Sequence, residues 1–135
     1  MPCNSGYCIF HGNVHNYFLN RLPADDVCYW DLIFTPQDNA LRDTSAAAVA
    51  ACGLAELLTL LPLTDPQRPA YGNAIELMMR NLREYYFAHT QDGLLREGVY
   101  NFGRNMGINE PNLWGDYFYF EALVRLSRVW TPYFC

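Results

Sequence analysis

The sequence predicts an all-α chain: about four helices in antiparallel hairpins, with a long irregular connection before the last one. Three observations carry this. Four segments repeat apolar residues at helical spacing, and prolines close or flank them. The second segment is apolar on nearly every side and the third is amphipathic, as expected of an inner helix backed by an outer one. Finally, 51% of the 135 residues are hydrophobic and only 17% are charged. That is enough apolar surface for one modest core, so residues 1–135 read as a single unit rather than a disordered tail.

The first helix is expected over residues 7–22, where Tyr7, Phe10 or His11, Val14, Phe18 and Leu22 share one stripe and Pro23 stops it. Gly12 weakens it. Residues 24–42 form a connector whose middle, from Val27 to Phe34, is rich in β-branched and aromatic side chains and reads as extended. The second helix is expected from Ser45 to Leu61, capped by Asp43 or Thr44 and closed by Pro62. Its first half, Ala46 to Gly53, is small on all sides, so a neighbour can approach closely.

A third helix is expected over residues 65–89, with Pro66 in its first turn. Tyr71, Ile75, Met78, Leu82 and Tyr85 form its apolar stripe, and Glu76, Arg80 and Glu84 form i,i+4 pairs on the wet face. Residues 91–113 are rich in Gly and Asn. A connection this long with little helical signal is uncommon unless it serves a function. The fourth helix is expected from Trp114 or Asp116 to Trp130, ahead of Pro132, and is aromatic nearly all round at its start.

Composition excludes several classes of function. Net charge is −5, and the nine basic residues are all arginines that form no stripe, which argues against a nucleic-acid partner. The longest apolar run, Ala46 to Ala55, is too short to span a bilayer, and the first residues lack the pattern of an export signal. Cys3, Cys8, Cys28, Cys52 and Cys135 contain no C-x-x-C pair and read as free thiols of a reducing, cytoplasmic setting. His11 and His15 are four apart but have no third ligand nearby, so neither a metal nor a cofactor is expected. The 21 aromatic residues serve core packing first and a sugar-stacking cleft second.

Three stretches together resemble the unsaturated glucuronyl hydrolase family: Tyr29-Trp30-Asp31, Arg42 to Ala48, and Trp114 to Leu123. The turn Asp92 to Leu95 and Gly98-Val99-Tyr100 add to the likeness, which runs from about Val14 onward and matches only the C-terminal part of such an enzyme. The resemblance implies a partial (α/α)6 toroid and a glycoside hydrolase acting on the unsaturated uronic acid at the non-reducing end of lyase-generated oligosaccharides. In that reaction an aspartic acid protonates the C4=C5 bond, water adds at C5, and the hemiketal falls apart. This differs from two-carboxylate glycoside hydrolysis. Twelve helices of ~12 residues joined by ~5-residue connections need on the order of 200 residues, so four helices cannot close the ring. The catalytic aspartates of the family lie in the part without a counterpart here, and no catalytic residue is assigned to this chain.

The resemblance assigns Tyr100 to the lining of the substrate pocket. Trp30 and Trp114 are then candidate walls of the cleft, Arg42 a candidate at its mouth paired with Asp31, and Asn101, Arg104 and Asn105 candidates facing the neighbouring sugar or its sulfate. Glu97 stands where family members often carry histidine. Asp43 and Asp116 sit where helix caps belong and are expected to be structural. The expected partners are an unsaturated oligosaccharide and either the missing N-terminal half or another copy of the chain, because the inner helix would otherwise expose apolar surface. Two other readings fit the residues: a non-catalytic module that binds acidic sugars, and an unsaturated rhamnogalacturonyl hydrolase-like enzyme. The Trp114 to Leu123 stretch favours the glucuronyl group.

Overall fold

The computed structural model describes residues 14–89 and 92–131. Residues 7–13 of the predicted first helix, including His11, lie outside these, as do Cys3, Cys8, Cys135 and Pro132. Helix α1 is described over residues 14–19, and Phe18, Leu19 and Leu22 pack against the core. Val14, predicted to share their stripe, is instead exposed.

In the connector, Val27, Cys28 and Tyr29 are buried, and Tyr29 bridges Arg42 in an antiparallel pair. They pair with the segment just before the next helix: Trp30 N–H donates to Leu41 O at 3.1 Å, and Asp43 N–H donates to Cys28 O at 2.9 Å. A 3-10 turn, Pro36–Asp38, closes the loop between them, with the Asp38 carboxylate accepting from Thr35 N–H and Oγ–H.

Helix α2, Thr44–Leu60, starts where Asp43 caps it, its Oδ1 accepting from Ser45 N–H at 3.1 Å and Ala46 N–H at 3.4 Å. Ala47, Ala48, Ala51, Cys52, Leu54 and Leu57 form the centre of the core. The helix is not covered all round, however. Val49 is exposed, and a Cβ built on Gly53 would meet nothing within 4 Å.

Helix α3, Arg68–Tyr85, is shorter at both ends than its pattern suggests. Asp65 turns the chain by accepting from Gln67 N–H, so Pro69 rather than Pro66 occupies the first turn. At the other end, residues 86–88 leave the helix to pair with residues 94–96: Ala88 N–H donates to Leu94 O and Arg96 N–H to Tyr86 O. Tyr71, Ile75, Met78 and Leu82 are buried as predicted; Tyr85 is exposed, and Met79 and Tyr86 are buried besides. Glu76, Arg80 and Glu84 lie on the exposed face.

The connection predicted to be irregular contains a hairpin. Strands β1, Gly98–Asn101, and β2, Met106–Glu110, pair antiparallel across a 3-10 turn, Phe102–Arg104. Such short strands leave little periodicity to read, and of the Gly and Asn residues that suggested irregularity, Gly103 and Asn105 make the turn while Gly98, Asn101, Gly107 and Asn109 lie in the strands. Asn105 is left-handed at φ 52°. Gly107, at φ +57°, lies where a Cβ would come within 2.8 Å of Tyr100 Cβ.

Helix α4, Leu113–Ser127, is capped by Asn112, whose side chain accepts from Gly115 N–H at 2.7 Å. It ends before Trp130. Asp116 is therefore not the cap, although its role remains structural.

Helix α2 is the central element. Arg68 at the start of α3 donates to Leu61 O at the end of α2, and Asn81 near the end of α3 donates to Asp25 O beside the start of α2, so α2 and α3 run antiparallel. Helix α4 runs parallel to α2. Gly115 approaches Ser45, Cys52 Sγ contacts Phe118 O at 3.2 Å, and Arg125 reaches Glu56 at 2.7 Å. The antiparallel α2–α3 pair is the predicted hairpin of an inner and an outer helix, and α4 lies parallel to α2 against it. Among the described residues, no helix is long and apolar enough to cross a membrane.

Candidate functional site

The N-terminal ends of α2 and α4 meet at one end of the bundle, and the β1–β2 hairpin lies against them. Thr44 joins the two: its N–H donates to Glu97 O at 3.3 Å and its Oγ–H to Arg96 O at 2.8 Å. Glu97 adopts φ 65° to make this connection, a left-handed conformation unusual for a non-glycine residue, and its carboxylate pairs with Arg96 at 3.3 Å.

Aromatic rings line this end. The Trp30 and Phe102 rings stack with centroids 4.4 Å apart and planes 13° from parallel, and Phe34 packs against Trp30 at 5.4 Å. Tyr100 on β1 and Trp114 on α4 meet at 5.3 Å. Tyr100 is 59% exposed and Trp114 39%. Trp114 is held from behind, its Nε1–H donating to Ser45 Oγ at 3.1 Å. Of the residues singled out from sequence, Trp30 and Trp114 thus each pack against a ring of one hairpin, and Tyr100 is one of those rings.

The remaining predicted residues are engaged differently. Asn101 uses its side chain to accept from Arg104 N–H at 3.0 Å, shaping the turn; Arg104 and Asn105 are exposed on it. Arg42 does not pair with Asp31. Its guanidinium pairs with Asp25 at 3.2 Å and lies 4.2 Å over the Tyr29 ring, while Asp31 accepts from Ile33 N–H. A long Arg side chain can reach back across the extended pairing of residues 29 and 42, which proximity in sequence does not reveal.

Asp25 is the hub of this second cluster, also accepting from Tyr86 Oη–H at 2.6 Å. Burial, reinforced by that bond to Asp25, pushes Tyr86 up to about 12. Burial opposes the charge on Arg42, but hydrogen bonds with Tyr29 and Tyr86 and the Asp25 carboxylate outweigh it and raise its pKa. Beneath them the free thiol of Cys28 is pushed to about 12, first by burial and then by the Asp43 charge.

The carboxylates at this end hold structure together. Asp25 binds Arg42 and Tyr86, Asp43 caps α2, and Asp116 Oδ1 accepts from Leu94 N–H at 2.9 Å and Leu95 N–H at 3.0 Å. Sequence reading overlooked Phe102 and Ser45. Phe102 had a signal, two residues beyond Tyr100 in an aromatic-rich loop; Ser45 had none beyond its place after a cap.

Comparisons with known proteins bear out the resemblance over nearly all of this chain and a third of its relatives. The chain is 48% identical over 121 residues to an unsaturated chondroitin disaccharide hydrolase of Streptococcus agalactiae, covering 87% of this chain and 30% of that protein. It is 37% identical to an unsaturated glucuronyl hydrolase of a Bacillus species, covering 87% of this chain and 32% of that one. Among solved structures, a variant of the Streptococcus agalactiae unsaturated glucuronyl hydrolase complexed with dGlcA-GalNAc6S superposes with TM-score 0.85 at 47% identity, over 89% of this chain and 33% of the other. No family model matches the chain. The structural likeness identifies the four helices as an arc of the helical toroid of these enzymes, with the small hairpin as an addition to the all-α prediction. The chain spans about a third of the length of the relatives it matches.

Proposed function

We propose that this chain forms one wall of an unsaturated glucuronyl hydrolase-like toroid, corresponding to the C-terminal part of such an enzyme, and that its aromatic mouth binds the unsaturated uronic acid end of an oligosaccharide. The observation that carries this reading is the pair of exposed rings, Tyr100 and Trp114, set beside the Trp30–Phe102 stack on one hairpin. Partly exposed aromatic faces fixed by a rigid scaffold suit the apolar faces of sugar rings. The sugar ligand of the Streptococcus agalactiae complex supports an oligosaccharide here too.

In this reading Tyr100, Trp30 and Trp114 contact the uronic acid, while Asn101, Arg104 and Asn105 on the hairpin turn face the neighbouring sugar. Arg42 shapes the mouth through Asp25 and Tyr29. The proton for C4=C5 comes from outside the chain, since the resemblance places the catalytic aspartates in the part without a counterpart here; Asp25, Asp43 and Asp116 are committed to structural hydrogen bonds. A catalytic acid must instead be held neutral near working pH and aimed at the double bond. The buried free thiols of Cys28 and Cys52 support a reducing, cytoplasmic setting.

The test is titration with an unsaturated glucuronyl disaccharide, following tryptophan fluorescence for binding and the absorbance of the C4=C5 chromophore for turnover. Saturable quenching with no loss of absorbance is the expected result. Turnover well above background, or no binding at millimolar sugar, overturns the reading.

A further inference from the structure

We propose that Ser45 is a positioning residue, which fixes the Trp114 indole and thereby the sugar-facing pair Trp114–Tyr100; this deepens the reading of the mouth as a carbohydrate site and rests on it. Ser45 is 3% exposed and lies between the N-terminal ends of α2 and α4. Its Oγ–H donates to Asp43 Oδ1 at 2.6 Å, and its oxygen accepts from Trp114 Nε1–H at 3.1 Å. The order of these bonds is set by chemistry. An ionised carboxylate only accepts and an indole N–H only donates, so the hydroxyl must donate to Asp43 and accept from Trp114.

Two features separate this role from ordinary packing. Asp43 already caps α2 through backbone N–H groups, so the Ser45 hydroxyl is not needed to start the helix. Trp114, in turn, is 39% exposed, so burial alone does not hold its ring in one orientation. The seat also demands close approach of the two helices. A Cβ on Gly115 would stand 3.1 Å from Ser45 Cβ and 2.9 Å from Asn112 Oδ1. Asp43, Ser45 and Trp114 thus form a chain from the capped end of one helix to a ring on the other, and Tyr100 packs on that ring at 5.3 Å.

The experiment compares the parent chain with Ser45→Ala, Trp114→Phe and the double variant. Trp114→Phe keeps an aromatic ring but removes the N–H. Two readouts are followed: exchange of the Trp114 indole N–H by NMR, without ligand, and affinity for an unsaturated glucuronyl disaccharide. Ser45→Ala is expected to speed indole exchange and weaken binding about fivefold, the net weight of one hydrogen bond. In the Trp114→Phe background the same change should leave affinity unaltered. Unchanged indole exchange in Ser45→Ala overturns the proposal, as does an equal loss of affinity in both backgrounds, because a purely structural serine would act without the indole. Absence of sugar binding by the parent chain sinks the carbohydrate reading instead, and the ligand-free exchange then decides on its own whether Ser45 holds the ring.

Discussion

Asp116, in the first turn of α4, binds the backbone N–H of Leu95 at 3.0 Å, and the same oxygen binds Leu94 N–H at 2.9 Å. One carboxylate thereby anchors the start of the 92–98 segment, with Leu95 buried in the core. Asp116→Ala leaves two backbone donors without this acceptor. A loss of about 1–3 kcal/mol in unfolding free energy is expected, measured by urea denaturation. A change below 0.5 kcal/mol would show that the anchor contributes little.

At Gly115, α4 lies close against α2. A methyl there meets Asn112 Oδ1 at 2.9 Å and Ser45 Cβ at 3.1 Å. Although alanine favours a helix, Gly115→Ala is expected to destabilise by about 1–3 kcal/mol through overpacking. It should also disturb the Trp114 indole signal. Gly53→Ala is the control: nothing lies within 4 Å of its Cβ, so it should be neutral or stabilise by up to about 1 kcal/mol.

Helix α4 presents Tyr117, Phe120 and Leu123 to solvent, with Phe120 62% exposed. An open groove of about 580 Å³ beside them is lined by Phe87, Leu94, Tyr119, Phe120 and Leu123, with Arg83 and His89 among its walls. Exposed apolar surface of this kind drives association or dye binding. Phe120→Ser combined with Leu123→Ser is expected to lower both ANS fluorescence and concentration-dependent light scattering, while the melting temperature moves by no more than a few degrees. Unchanged scattering would place the sticky surface elsewhere.

Alkaline pH should weaken the fold. Tyr86 and Cys28 are both raised to about 12 in the folded chain, from ordinary values of 10.0 and 9.0, chiefly by burial. Both groups are neutral when protonated, so the unfolded chain loses these protons first. Their stabilising contribution is complete below pH 9 and is lost progressively as pH rises toward about 12. Melting temperature should therefore fall across that window, and Tyr86→Phe should flatten the part above pH 10. A parallel slope in parent and variant would exclude Tyr86 as a source.

Thiol chemistry follows from the same burial. Cys28 and Cys52 are both raised to about 12, so almost no thiolate exists near pH 8. Neither is expected to react with a thiol reagent on a minute timescale until denaturant is added. Peptide mapping after labelling checks this at each cysteine.

Much of the helical framework was legible because its signals are local. Asp43 announced the start of α2, the small residues after it announced close packing, and the stripe from Tyr71 to Leu82 announced an amphipathic partner. Boundaries failed where a distant segment competed for the backbone. Residues 86–88 have helical neighbours but pair with residues 94–96 instead, and Asp116 is used for the Leu94 and Leu95 amides rather than as a cap. The hairpin is hard to read because four- and five-residue strands give too few alternations to set against the Gly and Asn residues spread through strands and turn.

The sequence by itself determined the all-α core, the inner and outer character of α2 and α3, and the aromatic residues available to a mouth, since each depends on spacing within a few turns of chain. Only the tertiary structure decided which of them meet. It brought Trp30 onto Phe102, Trp114 onto Ser45, and Arg42 onto Asp25 rather than Asp31. Those pairs are separated along the chain by many residues: Trp114 meets Ser45 because α4 packs on α2, Trp30 meets Phe102 where the hairpin turn reaches the connector, and Arg42 reaches Asp25 across the pairing of residues 29 and 42, long-range outcomes that no local pattern encodes.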